Sequence, residues 1–117
     1  MYIANFELCS ECLDLLSKDV SELGGTVTVL LEMDSDGICT PCGLETEDTY
    51  LVSVACGQPT DSERSFEIEY ADGSAEYAWG NYVAETENFF IFGSDDPFEA
   101  SELAIYRKGE GITFKEI

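Results

Sequence analysis

Two short cysteine motifs carry the most specific chemistry in this chain, Cys9-Ser-Glu-Cys12 and Cys39-Thr-Pro-Cys42. Tetrahedral zinc is commonly held by four thiolates delivered as two Cys-x-x-Cys pairs, because that spacing lets both sulfurs of a pair reach one ion. Cys9, Cys12, Cys39 and Cys42 are therefore the candidate ligands of one structural zinc. A competing reading applies to the first pair. Cys9 and Cys12 extend the apolar stripe of Leu13, Leu16 and Val20, and an unpaired cysteine is often simply a small core residue. The two pairs are also separated by a helix and a whole strand, which is unlike a compact ribbon. Cys56 stands alone in a strand pattern and reads as buried.

The second pair runs directly into Gly43 and resembles the knuckle of zinc-ribbon proteins, in which a glycine permits the tight turn beneath the metal. The first pair lacks that glycine. Thiol-redox chemistry fits less well. A strand, a Cys-x-x-Cys motif and a helix do follow one another over Phe6 to Leu23, but thioredoxin-like proteins need further βαβ units and the rest of this chain supplies hairpins. No histidine occurs, which removes the commonest general base and the commonest ligand of catalytic zinc. Asp34-Ser-Asp36 and Asp95-Asp96 do not continue into a calcium loop, and phosphate-cradling and dinucleotide motifs are absent. The expectation is a protein that is not an enzyme.

The elements that must position these cysteines are legible from periodicity. Leu13, Leu16, Val20 and Leu23 line one face of a helix over Cys9 to Leu23, which Gly24-Gly25 terminates. Thr26 to Met33 and Thr49 to Cys56 are rich in β-branched residues and predict strands, with the second cysteine pair in the acidic loop between them. Ser65 to Val83 predicts a hairpin turning at Asp72-Gly73. Counting outward from a two-residue turn there pairs Glu69 with Glu76, Ile68 with Tyr77 and Phe66 with Trp79. Further strands are expected at Asn88 to Phe92, Glu102 to Arg107 and Gly111 to Ile117, the last two joined by a turn at Lys108-Gly109-Glu110-Gly111. Phe89 to Phe92 is apolar on both faces, which marks a central strand. Residues 1–117 thus read as a single α+β domain, one N-terminal helix packed on an antiparallel sheet of roughly five to seven strands.

Charge sets the class of partner. Asp and Glu total 25 against five Lys and Arg, for a net charge of −20, and the seven Phe and six Tyr supply a core despite it. No apolar run approaches the roughly 20 residues of a spanning helix, and the N-terminus lacks the basic and apolar regions of a secretory signal, so a cytoplasmic location is expected. Nucleic acid and anionic membranes are poor direct partners for such a surface, and a basic protein surface is a good one. Residues 65 to 106 hold ten acids and no base, as do residues 19 to 63. Glu67, Glu69, Asp72, Glu76, Glu85, Glu87, Asp95 and Asp96 are the candidate partner-binding residues, and Glu69 set against Glu76 is a like-charge conflict of the kind found at functional faces.

In size, acidity and α+β pattern the chain resembles nucleic-acid-mimicking inhibitors, a group that includes anti-restriction and anti-CRISPR proteins and inhibitors of DNA repair enzymes. That resemblance implies an inhibitor occupying the basic nucleic-acid-binding surface of a defence or DNA-processing protein. Carboxylates at two-residue intervals along a strand lie roughly 6.6–6.8 Å apart, close to the phosphate spacing of one nucleic-acid strand. A toxin immunity protein and a small zinc-stabilised adaptor are the alternatives, and plain solubility or salt adaptation is the bland account of the acids.

Overall fold

The computed structural model describes residues 2–58, 60, 62–94, 102–109 and 112–117. In chain order its elements are β1 (Tyr2–Leu8), α1 (Ser10–Glu22), β2 (Thr26–Met33), β3 (Gly37–Ile38), β4 (Glu45–Thr46), β5 (Thr49–Cys56), β6 (Arg64–Glu69), β7 (Ala75–Gly80), β8 (Tyr82–Glu85), β9 (Phe89–Ser94), β10 (Glu102–Arg107) and β11 (Thr113–Glu116). The helix and the strands β2, β5, β6, β7, β9 and β10 fall where the sequence pattern places them. Every strand pairing among the described residues is antiparallel.

The expected single sheet is instead four small ones, ordered β1-β5-β2, β10-β9-β8, β11-β6-β7 and β3-β4. The reason lies in β9. Its residues Phe89, Phe90, Ile91 and Phe92 are all buried, and successive side chains of a strand point to opposite faces, so both faces need a cover. Phe89 and Ile91 join Leu103 and Ile105 of β10 in one cluster with α1 and the β1-β5 ladder, through Cys12, Leu16, Tyr2, Phe6, Val52 and Val54. Phe90 and Phe92 face the other way, onto Phe66, Ile68 and Ala78 of β6 and β7. Phe66 packs edge-on against Phe90 and Phe92, with ring centroids 5.1 and 5.3 Å apart, and Phe90 stacks on Phe114 at 4.5 Å. A strand with two apolar faces therefore becomes the centre of a layered structure, not the centre of one wide sheet.

Two pairings differ from the sequence reading. In the β6-β7 hairpin Glu69 lies opposite Ala75, Ile68 opposite Glu76, Glu67 opposite Tyr77, and Phe66 opposite Ala78. The cause is a three-residue loop, Ala71-Asp72-Gly73, in place of a two-residue turn. The Gly73 amide bonds the Tyr70 carbonyl at 3.0 Å and the Tyr70 amide bonds the Ser74 carbonyl at 2.9 Å, with Gly73 at φ 88°, the turn-plus-bulge geometry of three-residue hairpins. One extra loop residue shifts the register by one and exchanges the faces of β7. The Glu69–Glu76 conflict is thereby removed. The second difference concerns β11, which pairs with β6 and not with β10, because Phe114 is needed over Phe90 and beside Ile68.

A buried acid fixes the turn between β8 and β9. Asp19 on α1 is fully buried, and its Oδ2 accepts from the Thr86 hydroxyl at 2.9 Å, the Asn88 amide at 3.2 Å and the Asn88 side-chain amide at 3.3 Å. Truncating it leaves the part-buried Asn88 donors without this acceptor, while the Thr86 hydroxyl keeps the Phe89 carbonyl at 3.1 Å. Asp19→Ala is expected to lower stability by about 3 kcal/mol, the scale of unsatisfied buried donors to a charged acceptor, and Asp19→Asn by less. Urea denaturation of the two variants checks this, and an Asp19→Ala variant as stable as wild type would show that the hydrogen bonds contribute nothing.

Candidate metal centre

Cys9 and Cys12 enter the site from the first turn of α1. Cys9 is the N-cap, extended at φ −71° and ψ 164°, and its Sγ accepts the Cys12 amide at 3.5 Å. Sulfur thus takes the position usually given to a Ser, Thr or Asp oxygen. Spacing of three brings Cys12 onto the same helix face, where it is fully buried.

Cys39 and Cys42 arrive on the connection between β3 and β4. The Gly43 amide bonds the Cys39 carbonyl at 2.7 Å and the Cys39 amide bonds the Leu44 carbonyl at 3.0 Å, closing a tight knuckle. Gly43 sits at φ 70°, in the left-handed region that a side chain disfavours. Non-local bonds carry the knuckle to the helix. The Thr40 amide donates to the Glu7 carbonyl of β1 at 2.8 Å, and the Arg107 amide of β10 donates to the Pro41 carbonyl at 3.4 Å.

These anchors bring the four sulfurs within 4.8 Å of one another. None is in a disulfide, and Cys9, Cys12 and Cys39 are buried. Tetrahedral zinc with bonds of about 2.3 Å sets its sulfurs roughly 3.8 Å apart, so closure by about 1 Å or less would complete such a site. The donor set fits a metal ion. The first pair also packs in the apolar cluster with Leu16 and Val20, so its core and ligand readings describe the same placement. Cys56 is buried in β5 apart from the other four, and burial pushes its thiol up to about 11.

The electrostatics of the cluster are uneven. Cys39 is held down to about 5 because the Cys12 thiol and the backbone amides of Cys9 and Cys42 donate to its sulfur, overcoming its burial. Cys12 is pushed up correspondingly, first by its hydrogen bond to Cys39 and then by burial. Cys42 is raised chiefly by burial. Arg107, which motif reading did not single out, reaches the site from far along the chain. Its Nη1 lies 3.4 Å from Cys12 Sγ while its Nη2 bonds Glu11 Oε1 at 2.8 Å. A guanidinium beside the sulfurs offsets the excess negative charge that four thiolates place around a divalent ion.

The eight candidate partner-binding acids do not form one patch. Glu67 and Glu69 share the outer face of β6, with Glu67 between Tyr77 of β7 and Lys115 of β11. Glu76 belongs to the other face, level with Ile68. Asp72 at the hairpin tip accepts the Ser74 amide at 2.9 Å, and Glu85 pairs with Lys108 at 2.7 Å. Glu87 is exposed between β8 and β9, and Asp95 and Asp96 lie outside the described residues. Comparison with protein-family models, with curated proteins and with solved structures finds no match to this chain.

Two outcomes follow from this geometry. Cys12→Ser and Cys39→Ser are each expected to abolish stoichiometric metal binding, read by elemental analysis of purified protein, whereas Cys56→Ser retains it. In metal-free protein the depressed Cys39 contributes stability that is present above its ordinary value of 9.0 and lost as the pH falls through about 5. The stability difference between wild type and Cys39→Ser is thus expected to grow from pH 5 toward pH 9. A difference that is flat with pH would show that no thiolate is held there.

Proposed function

We propose that this chain is a non-catalytic binding protein, stabilised by one structural zinc ion, that engages a basic surface on a protein partner. The observation that carries the reading is the convergence of two sequence-distant cysteine pairs within 4.8 Å. All-thiolate sites without an open ligand position are typical of structural zinc, and soft sulfur donors select zinc over magnesium or calcium. The ion would be held by Cys9, Cys12, Cys39 and Cys42 and would supply folding energy, not reactivity.

The charge supports the choice of partner. Among the described residues Arg64, Arg107 and Lys108 are taken up by ion pairs with Glu116, Glu11 and Glu85, and the exposed Lys18 and Lys115 are the remaining bases against a net −20. Such a field steers a cationic partner at low ionic strength. A narrower reading, occupation of the nucleic-acid-binding groove of a defence or DNA-processing protein, is favoured by Glu67 and Glu69, which project from one face of β6 at the two-residue interval.

Zinc-loaded protein is expected to contain one ion per chain and to lose its fold on chelation. In excess it is expected to displace a labelled DNA duplex from a basic DNA-binding protein at about 50 mM salt and to lose that effect toward about 200 mM. Glu67→Gln with Glu69→Gln is expected to weaken displacement while leaving zinc content unchanged. Metal-free protein that keeps its fold would remove the zinc, and failure to displace at low salt would remove the basic partner.

A further inference from the structure

A cleft of about 470 Å³ opens directly beside the cysteine knuckle, between Pro41 and Cys42 on one side and the β6-β7 hairpin on the other. Phe6, Leu103 and Ile112 supply apolar wall, and Glu76, Tyr70 and Tyr106 converge on it. The Tyr70 hydroxyl donates to Glu76 Oε2 at 2.7 Å and the Tyr106 hydroxyl donates to Glu76 Oε1 at 3.4 Å. Each carboxylate oxygen therefore has one donor and one lone pair still open. Burial, reinforced by the Glu76 charge, pushes Tyr106 up to about 12 and raises Tyr70 as well, so both hydroxyls keep their protons and hold the carboxylate in place at neutral pH. Arg107 also lines the cleft, but its charge is engaged by Glu11 and faces Cys12 Sγ.

We infer that this cleft is the receptor for an arginine side chain presented by the basic partner. An arginine has the required halves, an aliphatic stem to lie on the apolar wall and a planar fork of N–H donors that matches a carboxylate with two open lone pairs. The volume lies within the range of clefts that enclose a small ligand and admits the long side chain with its flanking backbone. Preorientation of Glu76 by two tyrosines lowers the ordering cost of capture. Pro41 and Cys42 form the wall next to the cysteine cluster, so arginine capture depends on the knuckle being closed. This assignment rests on the proposed affinity for basic partners and locates it at one carboxylate.

The test is a nuclear magnetic resonance titration of the zinc-loaded full chain with a capped Gly-Arg-Gly peptide and its citrulline counterpart, which keeps the shape and removes the charge. Saturable shifts of the Tyr70 and Tyr106 ring signals are expected with the arginine peptide, with binding about tenfold weaker for citrulline and for Glu76→Gln, the scale of one charge-assisted contact. Trp79, on the opposite face of β7, should not respond. Equal binding of the two peptides, or shifts centred on Trp79 and Tyr77, overturns the cleft. Because the citrulline comparison uses the wild-type chain, it decides the matter even if Glu76→Gln fails to fold. Arginine binding that is indifferent to Glu76 overturns the cleft while leaving the affinity for basic partners intact, and that affinity stands or falls on DNA displacement.

Discussion

The burial of β9 on both faces is the constraint from which the remaining architecture follows. Four consecutive apolar residues, Phe89 to Phe92, are all buried, and a strand that hides both faces must lie between two layers. One layer is built by α1 with the β1-β5-β2 sheet and the other by the β11-β6-β7 sheet. The adjoining strand β10 inherits the same two-sidedness. Leu103 and Ile105 serve the first cluster, while Ala104 and Tyr106 pack on the second. Adjacent residues at its end then reach different sites, Arg107 touching a thiol and Tyr106 a carboxylate.

Within that frame the cysteine cluster lies where segments far apart in the chain meet. The β3-β4 ladder is only two residue pairs long, and an isolated hairpin of that size does not sustain itself in water. Its position depends on the Thr40 and Arg107 backbone bonds to neighbouring strands and on the sulfurs. A bound ion would convert those weak constraints into a strong one, which matters most in a small domain with limited core.

The acidic surface has a less simple organisation than a strip of unpaired carboxylates. Glu85 and Glu116 are neutralised by nearby bases, Asp72 shapes its own turn, and Glu76 is oriented by tyrosines. Glu67 and Glu69 remain together on an outer face that also carries exposed Tyr77 and Trp79. Lys115 of β11 lies opposite Glu67 on that face, so a base stands beside these carboxylates as well.

Local pattern was enough for α1, for β2 and β5, and for the two-faced character of β9. In each case the information resides in the spacing of neighbouring side chains, which one segment carries alone. The four cysteines were likewise marked by type and spacing. Their convergence was not, because it depends on hydrogen bonds from Thr40 to Glu7 and from Arg107 to Pro41, between residues far apart in the chain. The hairpin register hinged on whether the loop at Asp72-Gly73 held two residues or three. That choice sets which face of β7 turns inward, and it is Ala78, not Trp79, that joins Phe66 and Ile68 against Phe90 and Phe92, a demand made by another strand. Composition and short-range periodicity therefore specify which groups exist and which elements carry them, while their meeting in space is set by packing of one apolar face on another.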